Sequence, residues 1–201
     1  MPVFFQHQIN DTTRLGIWKI EETEEFFKAN VPLHRDVTHP HKRLQHLAGR
    51  FLLQYLFPAF PYEMIAIADT RKPFLPDEQY HFSISHCNDY AAAIVSKDKR
   101  VGVDIEVPVS KIIRIRDKFL SKEELARFEH NERQLTLLWS SKEAVFKWYG
   151  NGAVDFREHI HLNQQLHDQE VMDCNFTKEN NQHLSIHYRL FEHITLAWIV
   201  K

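Results

Sequence analysis

The stretches "HFSI", residues 81–84, and "HLSI", residues 183–186, stand 102 residues apart in a chain of 201. Each leads into a second apolar run, "YAAAIV" at 90–95 and "TLAWIV" at 195–200. Each also follows a long segment with a helical period. Over 43–57, Leu44, Leu47, Ala48, Phe51, Leu52, Tyr55 and Leu56 recur on one helix face, and Pro58 and Pro61 end it. A second helix is expected near 134–149, striped by Leu135, Leu138, Trp139, Val145, Phe146 and Tyr149. An offset of half the chain length predicts a duplicated α+β unit.

The remaining elements fit that plan. "PVFFQHQ" and "RLGIWKI" read as strands around Asn10 and Asp11, and Thr23 suits the cap of a short helix through Phe27. A strand is expected at 63–68, then the proline-punctuated loop "TRKPFLPDEQ" at 70–79. Further strands are expected at 80–85, 90–96, 101–107, 158–162, 184–190 and 194–200.

With 43% hydrophobic and 12% aromatic residues the chain can bury a sizeable core. The formal net charge of −2 gives no whole-protein field toward nucleic acid or an anionic membrane, so any anion site must be local. Cys87 and Cys174 lack a metal-binding spacing and read as free thiols. The fourteen histidines show no His-Glu-x-x-His, and His159 and His161 are alternate positions on an expected strand. The N-terminus has no basic segment followed by a long apolar one, and no apolar run approaches membrane-spanning length. A cytoplasmic monomer is expected.

The chemistry concentrates in "VGVDIEVP", residues 101–108. Alternate side chains of a strand share a face, so Asp104 and Glu106 point one way, about 7 Å apart, while Val103, Ile105 and Val107 point the other. Two like charges there need a positive partner. In the second helix Lys142 falls inside the apolar stripe and must snorkel or pair with a carboxylate. Glu143 and Lys147 stand at i, i+4 beside it, with Ser140 on the same side. Taken alone they make an ordinary surface pair. Taken with Asp104 and Glu106 they supply three carboxylates and nearby cations. Hard oxygen donors with room for water and phosphate suit Mg²⁺, the usual equipment of phosphoryl transfer.

"VGVDIE" followed by "WSSKEAVFK" at 139–147 resembles the signature of the 4′-phosphopantetheinyl transferases. "FSISHC" at 82–87 and "RKPFL" at 71–75 resemble two further blocks of the surfactin-type, single-chain branch. That resemblance implies a pseudo-dimer of two similar α+β halves, residues 1–107 and 108–201. It implies transfer of 4′-phosphopantetheine from coenzyme A to a carrier-protein serine, with release of adenosine 3′,5′-bisphosphate. Asp104, Glu106 and Glu143 would hold Mg²⁺, and Lys147 would neutralise a phosphate oxygen. Ser85 and His86 would contact nucleotide phosphates. Lys72 would contact the nucleotide end, though Arg71 stands where the family usually has glycine. Glu123 in "FLSKEE" matches a family acid, or else caps a helix.

Arg43 and Arg50, seven apart with His46 between them, are candidates for the 3′-phosphate, with Lys42 and Arg35 as substitutes. Either Glu143 or a metal-bound water could be the base. "KIIRIRDKF" at 111–119 puts Lys111, Arg114 and Lys118 on one helical face opposite Ile112, Ile115 and Phe119, a surface suited to an acidic carrier protein. Two other readings use the same residues: a Mg²⁺-dependent phosphohydrolase, and a silent module that binds coenzyme A or a carrier.

Overall fold

The computed structural model describes residues 3–32 and 37–201. Two compact units, Met1–Val101 and Gly102–Lys201, divide the chain.

The first unit contains β1 (Val3–Gln8), β2 (Thr13–Lys19), α1 (Glu24–Lys28), α2 (Pro40–Leu56), β3 (Ala66–Ile67), β4 (Pro73–Phe74), β5 (His81–Cys87) and β6 (Tyr90–Ser96). Antiparallel pairing gives a four-stranded sheet in the order β1-β2-β6-β5. Of the expected apolar stripe of α2, Leu47, Ala48, Leu52 and Leu56 are fully buried in the core with Trp18, Ala93 and Val95, and Leu53, outside the stripe, joins them. The helix starts at Pro40, ahead of the expected residue 43. Proline costs a helix nothing at its first position, and the His39 side chain accepts from Lys42 N–H. The expected strand at 63–68 shrinks to a 3₁₀ turn at Tyr62–Met64 and the two residues of β3, whose partner β4 lies inside the expected loop.

The second unit contains β7 (Val101–Glu106), α3 (Lys111–Ile115), α4 (Lys122–Arg127), α5 (Glu132–Tyr149), α6 (Phe156–His159), β8 (Ile160–Leu166), β9 (Val171–Phe176), β10 (Gln182–Leu190) and β11 (Thr195–Val200). Its sheet order is β7-β11-β10-β9-β8. The break between the units falls at the start of β7 rather than after it, because β7 is hydrogen-bonded to β11. Asn131 caps α5 and Gly150, in the left-handed region at φ 76°, ends it. The expected strand at 158–162 begins instead with a helical turn, because Asp155 accepts from the N–H groups of Arg157 and Glu158.

The two repeated tetrapeptides occupy β5 and β10, and the runs that follow them occupy β6 and β11. Beyond those strands lie β2 in one sheet and β7 in the other. Both carry a glycine under the long helix of their unit. A Cβ on Gly16 would meet Leu56 Cδ2 at 3.2 Å; one on Gly102 would meet the Ala144 carbonyl oxygen at 2.0 Å and Trp148 N at 2.7 Å. Two residues further along stand Trp18 in β2 and Asp104 in β7.

Backbone cannot yield as a side chain can. Gly102→Ala is expected to destabilise the protein by about 3 kcal/mol, at the upper end for overpacking, and Gly16→Ala by about 1 kcal/mol. Urea denaturation of the two variants checks this.

Candidate active site

The carboxylate cluster is built by β7 and α5. With Gly102 set against the α5 backbone, every second residue of β7 faces that helix. Asp104, 2% exposed, accepts from Lys147 Nζ through Oδ1 at 2.6 Å. Glu106 is hydrogen-bonded to the Trp139 side chain. Trp139, Glu143 and Lys147 are spaced four apart, so one stripe of α5 meets both acids of β7. Burial first and the neighbouring Asp104 second push the Glu106 carboxyl up to about 7. The same two causes raise Glu143 to about 7, opposed by Lys147. The four residues singled out in the sequence therefore share one site. Among the described residues no three His, Cys, Asp or Glu side chains are gathered closely enough to hold a metal ion as they stand.

Lys142 is not part of that cluster. It is fully buried, and its Nζ donates to Glu124 Oε2, the Phe156 carbonyl and the Ile160 carbonyl, each at 2.7 Å. Its three donors are thereby satisfied. Glu124 is 2% exposed. Its Oε1 accepts from Leu162 N–H at 2.8 Å, and its Oε2 also accepts from Ser121 N–H at 2.7 Å. Ser121 and Glu124 form the capping box of α4. Glu124 thus does the capping, and Glu123 is exposed beside it. Sequence reasoning named the neighbour. The Ser-x-x-Glu spacing of a capping box was the signal that separates the two acids.

In the first unit a cavity of about 290 Å³ is lined by His46 and Arg50 from α2, Arg71 from the loop before β4, and His86 from β5. Ile67, Pro73 and Ile84 form its apolar wall. Gly49 allows this closeness, since a Cβ there would lie 2.6 Å from Ile84 Cγ2. Arg50 is 4% exposed. Ser85 is buried one residue from His86 and does not line the cavity.

Arg43 lies elsewhere on α2. Its Nε donates to Glu24 at 2.7 Å and its Nη1 to the Val37 carbonyl at 2.7 Å. Those bonds, with one from Lys28, hold the Glu24 carboxyl down at about 2. Lys72 is half-buried outside the lining. Burial and then Arg100 lower its ammonium to about 8. Lys42 is exposed, and Arg35 lies outside the described residues.

Arg71 is the lining residue that sequence reasoning passed over in favour of its neighbour. It has φ 66°, the left-handed region, at a position where a non-glycine residue costs about 1–2 kcal/mol. The departure from glycine was the available signal.

Comparison with known proteins gives the family. Residues 35–96 match the 4′-phosphopantetheinyl transferase N-terminal domain, and residues 100–198 match the 4′-phosphopantetheinyl transferase superfamily. The chain belongs to that superfamily. It is 28% identical over 167 residues to enterobactin synthase component D of Escherichia coli (strain K12), covering 78% of this chain and 76% of that protein. It is 32% identical over 119 residues to the 4′-phosphopantetheinyl transferase AcpT of the same strain, covering 56% of this chain and 60% of that one. A putative 4′-phosphopantetheinyl transferase of Haemophilus influenzae is 30% identical over 105 residues, covering 48% and 45%. The activity is accordingly phosphopantetheinyl transfer: 4′-phosphopantetheine passes from coenzyme A to a carrier protein. No helix among the described residues is long and apolar enough to cross a membrane.

The two raised carboxyls give a pH dependence. Between the ordinary glutamate value of 4.5 and about 7 the native state holds protons that the unfolded state has released. Their contribution to stability therefore falls as pH rises through that window. In chelator, Glu106→Gln/Glu143→Gln is expected to gain stability relative to wild type as pH goes from 5 to 8. Thermal melts of both proteins across that range check it.

Proposed function

We propose that this member of the family transfers phosphopantetheine with Mg²⁺ and a general base, using the β7–α5 cluster. The observation that carries the reading is the stripe Trp139, Glu143 and Lys147 set against Asp104 and Glu106. The donor set fits a hard cation: two half-buried glutamates share a site with the buried Asp104 carboxylate, and Asp104 adds to the burial that raises both glutamate carboxyls. Asp104, Glu106 and Glu143 would hold Mg²⁺. When bound, the ion supplies charge neutralisation to the pyrophosphate.

Glu143 takes the proton of the carrier serine as general base. The serine oxygen attacks the phosphorus that bears pantetheine, and the bond from that phosphorus to the bridging oxygen breaks. Adenosine 3′,5′-bisphosphate leaves with the electron pair. Lys147, held at Asp104, is placed to neutralise a phosphate oxygen as charge develops. Arg50, Ser85 and His86 hold nucleotide phosphates, Ser85 from a buried position outside the cavity lining. Arg43 and Lys72 support the α2 start and the β3–β4 loop, from which each reaches the nucleotide end only by leaving its present neighbours. The chain acts as a monomer of two similar halves, a reading supported by the matching strand placements of the repeats. This also relates it to the surfactin-type branch.

Carrier docking falls to α3 and the turn after it. Lys111, Arg114 and Lys118 are exposed, whereas Ile112 is buried and Ile113 and Ile115 pack against the core. A basic face anchored by an apolar one suits an acidic carrier.

Intact-mass analysis of apo acyl- and peptidyl-carrier proteins after incubation with coenzyme A tests the function. One added phosphopantetheine with Mg²⁺ and none with chelator is the expected result. No gain on any carrier, with coenzyme A hydrolysed instead, would favour a phosphohydrolase. In the same assay Arg114→Glu/Lys118→Glu should raise the carrier KM roughly tenfold, an effect that added salt reproduces in wild type. An unaltered KM would remove α3 from the docking surface.

A further inference from the structure

The stripe Leu135, Leu138, Val145 and Tyr149 buries one side of α5, and position 142 lies in its middle. A leucine or methionine there would complete the stripe. The chain instead buries Lys142, 0% exposed, whose ammonium has to be satisfied by directed bonds. A buried ion pair adds little net stability over apolar residues of the same volume. Stability alone does not account for the lysine.

Apolar packing is non-directional, and a helix held by an apolar stripe can settle at slightly different rotations about its axis. Three bonds of 2.7 Å converging on one nitrogen do not allow this. Their acceptors come from three elements: Glu124 of α4, the Phe156 carbonyl of α6 and the Ile160 carbonyl at the start of β8. Glu124 is itself held by the N–H groups of Ser121 and Leu162. Phe156 makes a second link to α5, with its ring centroid 5.6 Å from that of Trp139 and 5.9 Å from that of Phe146. Glu143 follows Lys142 directly, about 100° round the helix. For a side chain about 6 Å from the axis, a rotation of about 15° moves the carboxyl by about 1.5 Å. A displacement of that size costs roughly 10²-fold in rate.

We propose that Lys142 and Glu124 are positioning residues for phosphopantetheinyl transfer: their buried pair fixes the rotation of α5 and so keeps Glu143 and Lys147 turned toward Asp104 and Glu106. This rests on the reading of the β7–α5 cluster given above. The pair acts through the helix and not on the reacting atoms.

Steady-state kinetics of the full chain with coenzyme A, Mg²⁺ and an apo-carrier, beside thermal melts, test this. Lys142→Met/Glu124→Gln removes both charges at similar side-chain volume and leaves a residue that a capping box accepts. The variant is expected to stay folded at the assay temperature, with a lowered melting temperature because two carbonyls lose their donor. Its KM values for coenzyme A and for the carrier should stay within about threefold of wild type, while kcat falls roughly 10- to 100-fold. Glu124→Gln alone keeps the ammonium and its two carbonyl acceptors and should lower kcat less, in the same direction. A kcat within about threefold of wild type in either folded variant would overturn the inference. So would a fall in kcat matched by equal rises in both KM values, or loss of the fold in both variants, since either makes the pair merely structural. Glu143→Gln in the same assay separates the inference from the reading beneath it. A full rate in that variant overturns the cluster reading; a depressed rate there, with an unaltered rate in the other two, overturns the inference alone.

Discussion

The approach of β7 to α5 at Gly102 is the constraint on which the rest of the second unit depends. A Cβ at this position would sit 2.0 Å from the Ala144 carbonyl oxygen, so only glycine lets strand and helix backbones come this close. Once they do, the period-two geometry of the strand and the four-residue spacing of the helix fix the site. Asp104 meets Lys147 at 2.6 Å, and Glu106 meets Trp139 and the field of Glu143. A carboxylate cluster that would be repulsive in isolation is held by close packing that its own charges do not provide.

The far side of α5 is held differently. Lys142 points away from Glu143 into a closed polar nest of Glu124 and two carbonyls. A buried ion pair need not add net stability, but breaking one by removing a partner is costly. Lys142 and Glu124 also tie α4, α5 and the start of β8 together, which fixes the rotation of α5 about its axis. Adjacent residues of one motif thus have different surroundings: Lys142 is tied to Glu124 and two carbonyls, and Glu143 stands in the field of Asp104 and Lys147. The first unit solves the same helix-on-sheet problem with the glycine on the helix as well. Gly49 lies against Ile84, and beside that contact His46, Arg50 and His86 gather.

Much of this was legible in the sequence. The repeated tetrapeptides mark matching strands, and the stripe from Leu44 to Leu56 marks α2. The alternation in "VGVDIE" and the Glu143–Lys147 spacing point to four residues that the fold brings near one another. Elements with weak or mixed signals were not legible. In β9, polar Asp173 and Asn175 alternate with Met172, Cys174 and Phe176, and those two residue types are poor strand formers. The hairpin of β3 and β4 has two residues per strand and is set by loop hydrogen bonds rather than by apolar period. Glu123 and Glu124 are adjacent residues of like chemistry, separated only by backbone geometry, and the capping box tells them apart.

The account stands on Glu143 as the group that moves the serine proton. The most direct measurement is kcat for Glu143→Gln as a function of Mg²⁺, with apo-carrier and coenzyme A saturating. The amide keeps an oxygen for the metal but cannot accept a proton, so kcat should stay depressed by about 10²–10⁴ at any Mg²⁺ concentration. Recovery to near the wild-type rate at high Mg²⁺ would contradict the account and leave Glu143 a metal ligand alone.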